Sequence, residues 1–190
     1  MDLKDLQLTA AKCELCELSK RRIEPVFAKG SPTSKIVVCG MCPGPEENKA
    51  GVPFVGTAGK ILDAILLGAF GKDSLDVYVT NLVKCFVPPG TKLDDHWMST
   101  CLPYFLVQLK LIQPKVVIAL GKDVSNYLLN NDKTMGSMRG KVYDYMGLKL
   151  VSTYHPSYLA RGGGVKHKHF DRVVNDFQQT LYYLGEQHGI

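Results

Sequence analysis

The chain is expected to fold as a three-layer α/β/α sandwich around a central four-stranded parallel sheet. Two observations carry that expectation. Four runs, Lys35–Cys39, Val77–Thr80, Lys115–Leu120 and Lys149–Thr153, are continuously apolar and rich in β-branched residues, the pattern of strands covered on both faces. Segments with helical spacing separate them, and that alternation builds a parallel sheet between helical layers. The 190 residues suffice for one well-buried domain. Residues 1–190 are therefore read as a single unit, with residues 1–34 as a preface.

In chain order, Leu6, Leu8 and Ala11 suggest a short helix leading into Cys13-Glu14-Leu15-Cys16. The first strand opens into Gly40–Gly59, G-M-C-P-G-P-E-E-N-K-A-G-V-P-F-V-G-T-A-G, dense in Gly and Pro and carrying one exposed-looking aromatic, Phe54. A helix follows over Thr57–Phe70 with Thr57 as its N-cap. The second strand runs into Asn81 and then Lys84-Cys85. Trp97, Cys101, Phe105 and Leu109 share one face of a helix over Trp97–Ile112, which Pro114 closes. The third strand turns through Gly121-Lys122-Asp123 into a short helix, Val124–Leu129. Val142–Tyr145 makes a hairpin with the fourth strand, turning near Gly147. The fourth strand ends at His155-Pro156-Ser157-Tyr158-Leu159-Ala160-Arg161, and Phe170–Leu184 forms the last helix. Open α/β sheets bind ligands beyond the carboxyl ends of their strands. Glycines there admit backbone N–H groups to a ligand, and a helix N-terminus favours an anion.

Composition narrows the function classes. No apolar run is long enough to span a bilayer, and Met1-Asp2-Leu3-Lys4-Asp5 lacks the basic flank and apolar core of a secretory signal. A cytosolic placement is expected. Lys and Arg number 23 against 18 acids, a net charge of +5, which permits an anionic partner without demanding one. Arg161, Lys166 and Lys168, with His167 and His169, form a basic Gly-rich segment suited to holding phosphates. Lys20, Arg21 and Arg22 could add to the same surface. No G-x-G-x-x-G or Walker A pattern occurs, so no nucleotide cofactor is expected.

Six cysteines, at 13, 16, 39, 42, 85 and 101, are many for a cytosolic chain, where disulfides are disfavoured. Cys39 lies inside a strand and reads as a buried thiol. Cys13 and Cys16 form a pair, and Cys85 and Cys101 are single positions. Such a set can enclose a [4Fe–4S] cluster. Zinc is the metal alternative, although a four-cysteine zinc site favours two close pairs.

The ordered series Cys-x-x-Cys, G-M-C-P-G-P-E-E-N with P-F-V-G, V-Y-V-T-N-L-V-K-C, Cys101 and H-P-S-Y-L-A-R resembles the family 4 uracil-DNA glycosylases, the iron–sulfur members of the uracil-DNA glycosylase superfamily. The resemblance spans about Cys13 to Arg161. It implies the sandwich fold, a [4Fe–4S] cluster on Cys13, Cys16, Cys85 and Cys101, uracil-containing DNA as partner, and hydrolysis of the N-glycosidic bond by a monomeric enzyme. A uracil must be flipped from the duplex to be reached. Phe54 would stack on it, and Asn81 would read its edge, since an amide offers one donor and one acceptor. Gly40, Met41, Pro43 and Gly44 would line its pocket. His155 would donate to O2 of the leaving uracil. Glu47 would assist the sugar cation and the water. Cys42 stands where other branches place the Asp or Asn that manages that water. Leu159 matches the apolar wedge that fills the gap left by the flipped base, and Ser157, Arg161, Lys166 and Lys168 would contact DNA. Met41, Cys42 and Asn48 depart from the family pattern, which keeps an alternative open: a uracil- or DNA-binding protein on the same scaffold with little turnover.

Overall fold

The structure is a computed structural model, which describes residues 1–71 and 77–185. Six strands form one sheet: β1 (Lys29–Gly30), β2 (Ile36–Gly40), β3 (Tyr78–Asn81), β4 (Val116–Leu120), β5 (Val142–Tyr145) and β6 (Leu148–Thr153). Their order is β1-β3-β2-β4-β6-β5. The four expected strands, β3, β2, β4 and β6, are parallel neighbours. An antiparallel strand flanks them at each edge, the expected β5 on one side and the unforeseen β1 on the other. The hairpin of β5 and β6 was legible; its turn falls at Met146 and Gly147, both with positive φ (50° and 79°), as a two-residue primed turn requires. The two residues of β1 are too few to show any period.

Successive strand residues face opposite layers. Val37, Cys39, Val117 and Ala119 join Phe105, Leu109 and Ile112 of helix α4 (Asp95–Ile112) in one core. Ile36, Val38, Val116 and Ile118 join Leu62 and Ile65 of α3 (Thr57–Phe70) and Val173 and Phe177 of α8 (Phe170–Gln178) in the other. Shorter helices complete the fold: α1 (Leu3–Ala11), α2 (Pro45–Ala50), α5 (Lys122–Leu129), α6 (Met135–Met138) and α7 (Pro156–Arg161). Gly56, not Thr57, is the N-cap of α3. The last helix is α-helical to Gln178 and continues as a 3-10 helix over Gln179–Leu184. No described helix is long and apolar enough to cross a membrane.

An ammonium is placed deep inside. Lys84 is 2% exposed, and its ammonium donates to Thr80 Oγ1 (2.8 Å), the Asn81 carbonyl (2.5 Å) and Gln108 Oε1 (2.7 Å). Those are three acceptors for three N–H donors. Burial pulls the ammonium down to about 8, opposed by Cys101 and Cys39, so at neutral pH it is mostly protonated. The network ties the end of β3 to the middle of α4. Lys84→Met should lower the unfolding free energy by about 3 kcal/mol, because several buried acceptors lose their donor at once. The urea midpoint at unchanged m-value measures this; an unchanged midpoint would assign the network no role in stability.

Candidate active site

The parallel register sets Gly40 opposite Asn81 at the carboxyl ends of β2 and β3. A pocket of about 340 Å³ opens there, lined by Cys42, Gly44, Glu47, Phe54, Asn81, His155 and Ser157 among others. Thus three strand ends meet, as the sequence anticipated.

Asn81 is 2% exposed, and its side-chain Oδ1 has no hydrogen-bond partner. A buried amide oxygen left open at a pocket floor is an acceptor waiting for a donor. Gly40 makes this placement possible: a Cβ there would sit 2.3 Å from Asn81 Oδ1 and 2.7 Å from Phe54 Cζ. Phe54 is only 6% exposed, correcting the exposed reading, and its ring is a wall of the pocket. Its φ of 53° lies in the left-handed region, which strains a non-glycine residue by about 1–3 kcal/mol. The Lys29 ammonium holds its carbonyl at 2.9 Å. The Phe54 and His155 rings lie 5.8 Å apart.

His155 is the N-cap of α7. Its Nδ1 accepts from the Ser157 amide (3.1 Å) and pairs with Ser157 Oγ (2.8 Å). An amide N–H can only donate, so the neutral ring carries its proton on Nε2. Burial, then the nearby Arg161 cation, hold the ring down to about 4, with Glu47 opposing. His155 is therefore a neutral Nε2–H donor at physiological pH.

Glu47 closes the long Gly40–Gly59 connection on itself. Its Oε1 accepts from the amides of Val55 (3.0 Å) and Gly56 (2.9 Å), and its Oε2 from that of Gly44 (3.1 Å). One carboxylate thus caps α2 and pins the N-cap of α3. Cys42 lines the pocket as a neutral thiol, pushed up to about 11 by burial and by Asp123, so it is no base at neutral pH. Met41 does not line the pocket: it is 8% exposed and packs in the core with Trp97 and Met98. Pro43 is buried beside the pocket. Asn48 accepts from the Ile23 amide (2.9 Å) and staples the preface to α2.

Leu159 is 0% exposed and belongs to the core beneath α7, so as placed it cannot wedge into a duplex. Its sequence position carried no sign of this, because the periodicity of a six-residue helix is too short to fix a buried face. Arg161, Lys166 and Lys168 are exposed nearby. Arg22 is engaged by the cysteine segment instead. Its guanidinium donates to Cys85 Sγ (3.0 Å) and the Cys13 carbonyl (2.7 Å).

Those contacts belong to a second site. Cys13, Cys16, Cys85 and Cys101 line one cavity with Leu18, Val83 and Trp97. Among the described residues, no three His, Cys, Asp or Glu side chains are grouped to hold a single metal ion; the four thiols frame a space instead. The Lys84 amide donates to Cys101 Sγ at 3.3 Å. Burial raises Cys85, and raises Cys101 to about 11. An all-sulfur donor set with N–H groups aimed at two sulfurs fits an iron–sulfur cluster, which stabilises thiolate where burial alone opposes it. Cys39, pushed up to about 12 by full burial, stays a core thiol.

Comparison with known proteins gives the family. Residues 27–178 match the family model of the Uracil DNA glycosylase superfamily. A type-4 uracil-DNA glycosylase of Thermotoga maritima is 36% identical over 178 residues, covering 93% of this chain and 91% of the relative. One from Saccharolobus solfataricus is 35% identical over 77% of this chain and 71% of the relative, and one from Archaeoglobus fulgidus is 32% identical over 82% and 81%. The chain belongs to the uracil-DNA glycosylase superfamily, within its type-4 family.

Proposed function

We propose that this protein removes uracil from DNA by hydrolysing the N-glycosidic bond, leaving an abasic site. The observation that carries this is the open Oδ1 of buried Asn81 on a pocket floor flanked by Phe54 and His155. In this reading Asn81 Oδ1 accepts from uracil N3–H while the amide NH2 donates to O4; cytosine presents the opposite pattern at those two atoms. The Phe54 ring stacks on the base. As the C1′–N1 bond breaks, its electron pair stays on uracil and charge gathers at O2. His155 Nε2–H meets that charge, a donor fixed before it develops. Water adds to C1′ through its oxygen, and the proton it loses passes through solvent to the uracil anion, leaving an abasic sugar and neutral uracil.

Glu47 is assigned to the sugar and the water. Oε2 takes a single backbone bond, leaving a lone pair for a water, while the carboxylate's negative field favours the oxocarbenium-like sugar. Its three amide bonds keep it in place and exclude large motion. Cys42 borders the water side without taking a proton. That neutral thiol favours slow turnover, the second reading kept from the sequence. Gly44 stays in the pocket wall, and Ser157 acts through His155 as well as toward DNA. Arg161, Lys166 and Lys168 are assigned to phosphates.

Cys13, Cys16, Cys85 and Cys101 would hold a [4Fe–4S] cluster. Bound, it supplies Fe–S bonds that cross-link the preface, the segment after β3 and α4. Residues 1–34 are thereby part of the one domain, in keeping with Leu18 at 0% exposed in the core shared with α4.

Single-turnover cleavage of an oligonucleotide with one uracil, beside thymine and cytosine controls, tests the assignment. Excision at uracil alone is expected. Asn81→Asp should shift selectivity toward cytosine by at least about tenfold, since an acceptor replaces a donor; unchanged selectivity would remove Asn81 as the reader. Uracil-dependent binding without product would favour the low-turnover reading.

His155→Ala should cost about 3 kcal/mol of transition-state stabilisation. The wild-type kcat/KM should stay level on the acid side down to about pH 5 and fall below it, as the ring protonates only near 4. The sign of the linked stability follows. The unfolded ring takes a proton below about 6.5 that the folded ring refuses, so this contribution is present above 6.5 and is lost as pH falls toward 4. A kcat/KM that drops near pH 6.5 would mean that His155 titrates as a free imidazole.

Cys85→Ala should abolish the visible absorbance of anaerobically purified protein and lower its Tm. Zinc-bearing, colourless wild-type protein would overturn the cluster assignment.

A further inference from the structure

Helix α7 turns Tyr158 outward where it turns Leu159 into the core. Tyr158 is 37% exposed and directly follows Ser157, which lines the pocket. It is the outer member of a four-ring cluster. Tyr154 and Tyr158 lie 5.0 Å apart, Tyr154 stacks on His169 at 5.1 Å, and His167 meets Tyr158 at 4.9 Å and His169 at 5.3 Å. The arrangement is built. The His169 amide donates to His167 Nδ1 at 3.1 Å, and only glycine at position 162 leaves room for the His167 ring, whose Cδ2 would lie 2.2 Å from a Cβ there. His169 Nδ1 is buried without a partner.

The surroundings are cationic. From Tyr154 to Phe170 the chain contains no Asp or Glu, and Arg161, Lys166 and Lys168 are exposed on it. Arg161 also reaches close enough to the pocket to disfavour the His155 imidazolium. An aromatic face at the rim of the pocket, set among cations that form no salt bridge among the described residues, matches the way unpaired nucleic-acid strands are held: bases stack on rings while phosphates meet Lys and Arg. Flipping one nucleotide exposes the face of its neighbour, which needs a new stacking partner.

We infer that the Tyr154–Tyr158–His167–His169 cluster is a stacking platform for the nucleobase next to the flipped uracil, with Tyr158 as its contact face and Arg161, Lys166 and Lys168 on the adjoining phosphates. This rests on the glycosylase reading for the identity of the flipped base. It gives the protein a preference for locally unpaired strands, in which the neighbour is free to stack.

The test separates the two claims. A single-stranded oligonucleotide carries a tetrahydrofuran abasic site with 2-aminopurine beside it, so binding is read without any excision. Wild-type protein should change the 2-aminopurine fluorescence on binding. Tyr158→Ala should remove that change and weaken binding about tenfold, within the range for one stacked base, with the salt slope of affinity unaltered. Tyr158→Phe should retain both. Because Tyr158 is partly exposed, its Tm should stay near wild type, and His169→Ala, which removes the ring behind the platform, should reduce the same signal. Tyr158→Ala protein with wild-type affinity and fluorescence would overturn the platform and leave the rings as packing. Wild-type protein that stacks 2-aminopurine yet excises no uracil would uphold the platform and sink the glycosylase reading.

Discussion

A single buried ammonium links the two cavities of this molecule, the pocket beyond the strand ends and the space among the four cysteines. Lys84 is held among Thr80, the Asn81 carbonyl and Gln108, with its ammonium 5.9 Å from the ring centroids of both Phe27 and Phe105. A buried charge is tolerated only when its donors are fully used, so the network admits little displacement of any member. One of those members is the backbone of the proposed base reader. The amide of Lys84 itself points at Cys101, and the next residue is Cys85. The segment 81–85 therefore has the pocket of Asn81 and His155 at one end and the cysteine cavity at the other, fixed by the same side chain. Movement at the cysteines reaches Asn81 through very few bonds.

The pocket is held open by strain and by backbone hydrogen bonds in balance. The left-handed backbone at Phe54 stores strain that is offset by Lys29 on its carbonyl and by Glu47 on the two amides that follow. That geometry aims the ring across Gly40 at Asn81. The walls are fixed before any ligand arrives, which is what differential stabilisation of a developing charge requires. His155 follows the same logic. Its tautomer is set by the Ser157 amide, and its neutrality by burial.

Much of this was readable from the chain. The four parallel strands stood out because continuous apolar β-branched runs are a local signal that burial on both faces imposes. Asn81 drew notice at a strand end, Phe54 and Glu47 in the long Gly- and Pro-rich connection, His155 through the family resemblance, and the four cysteines through their number and pairing. Other features had no local signal. The two-residue β1 pairs only because Val79 and Tyr78 lie beside it. Met41 and Leu159 are apolar residues beside functional ones, and nothing in the sequence distinguishes a pocket wall from a core position there. Arg22 looked like part of a basic surface run, whereas the fold turns it inward to Cys85.

The sequence by itself determined the fold class, the family and the chemical kinds of residue available, because hydrophobic period and motif order are properties of the linear chain. Tertiary structure decided what each group does with its hydrogen bonds. It made Glu47 a loop clasp as well as a pocket acid, left Asn81 Oδ1 open, placed the proton of His155 on Nε2 and raised Cys42 beyond ionisation at neutral pH. It also turned Tyr158 outward and Leu159 inward. Protonation and hydrogen bonding depend on burial and on neighbours distant in sequence, and those exist only once the chain has closed on itself.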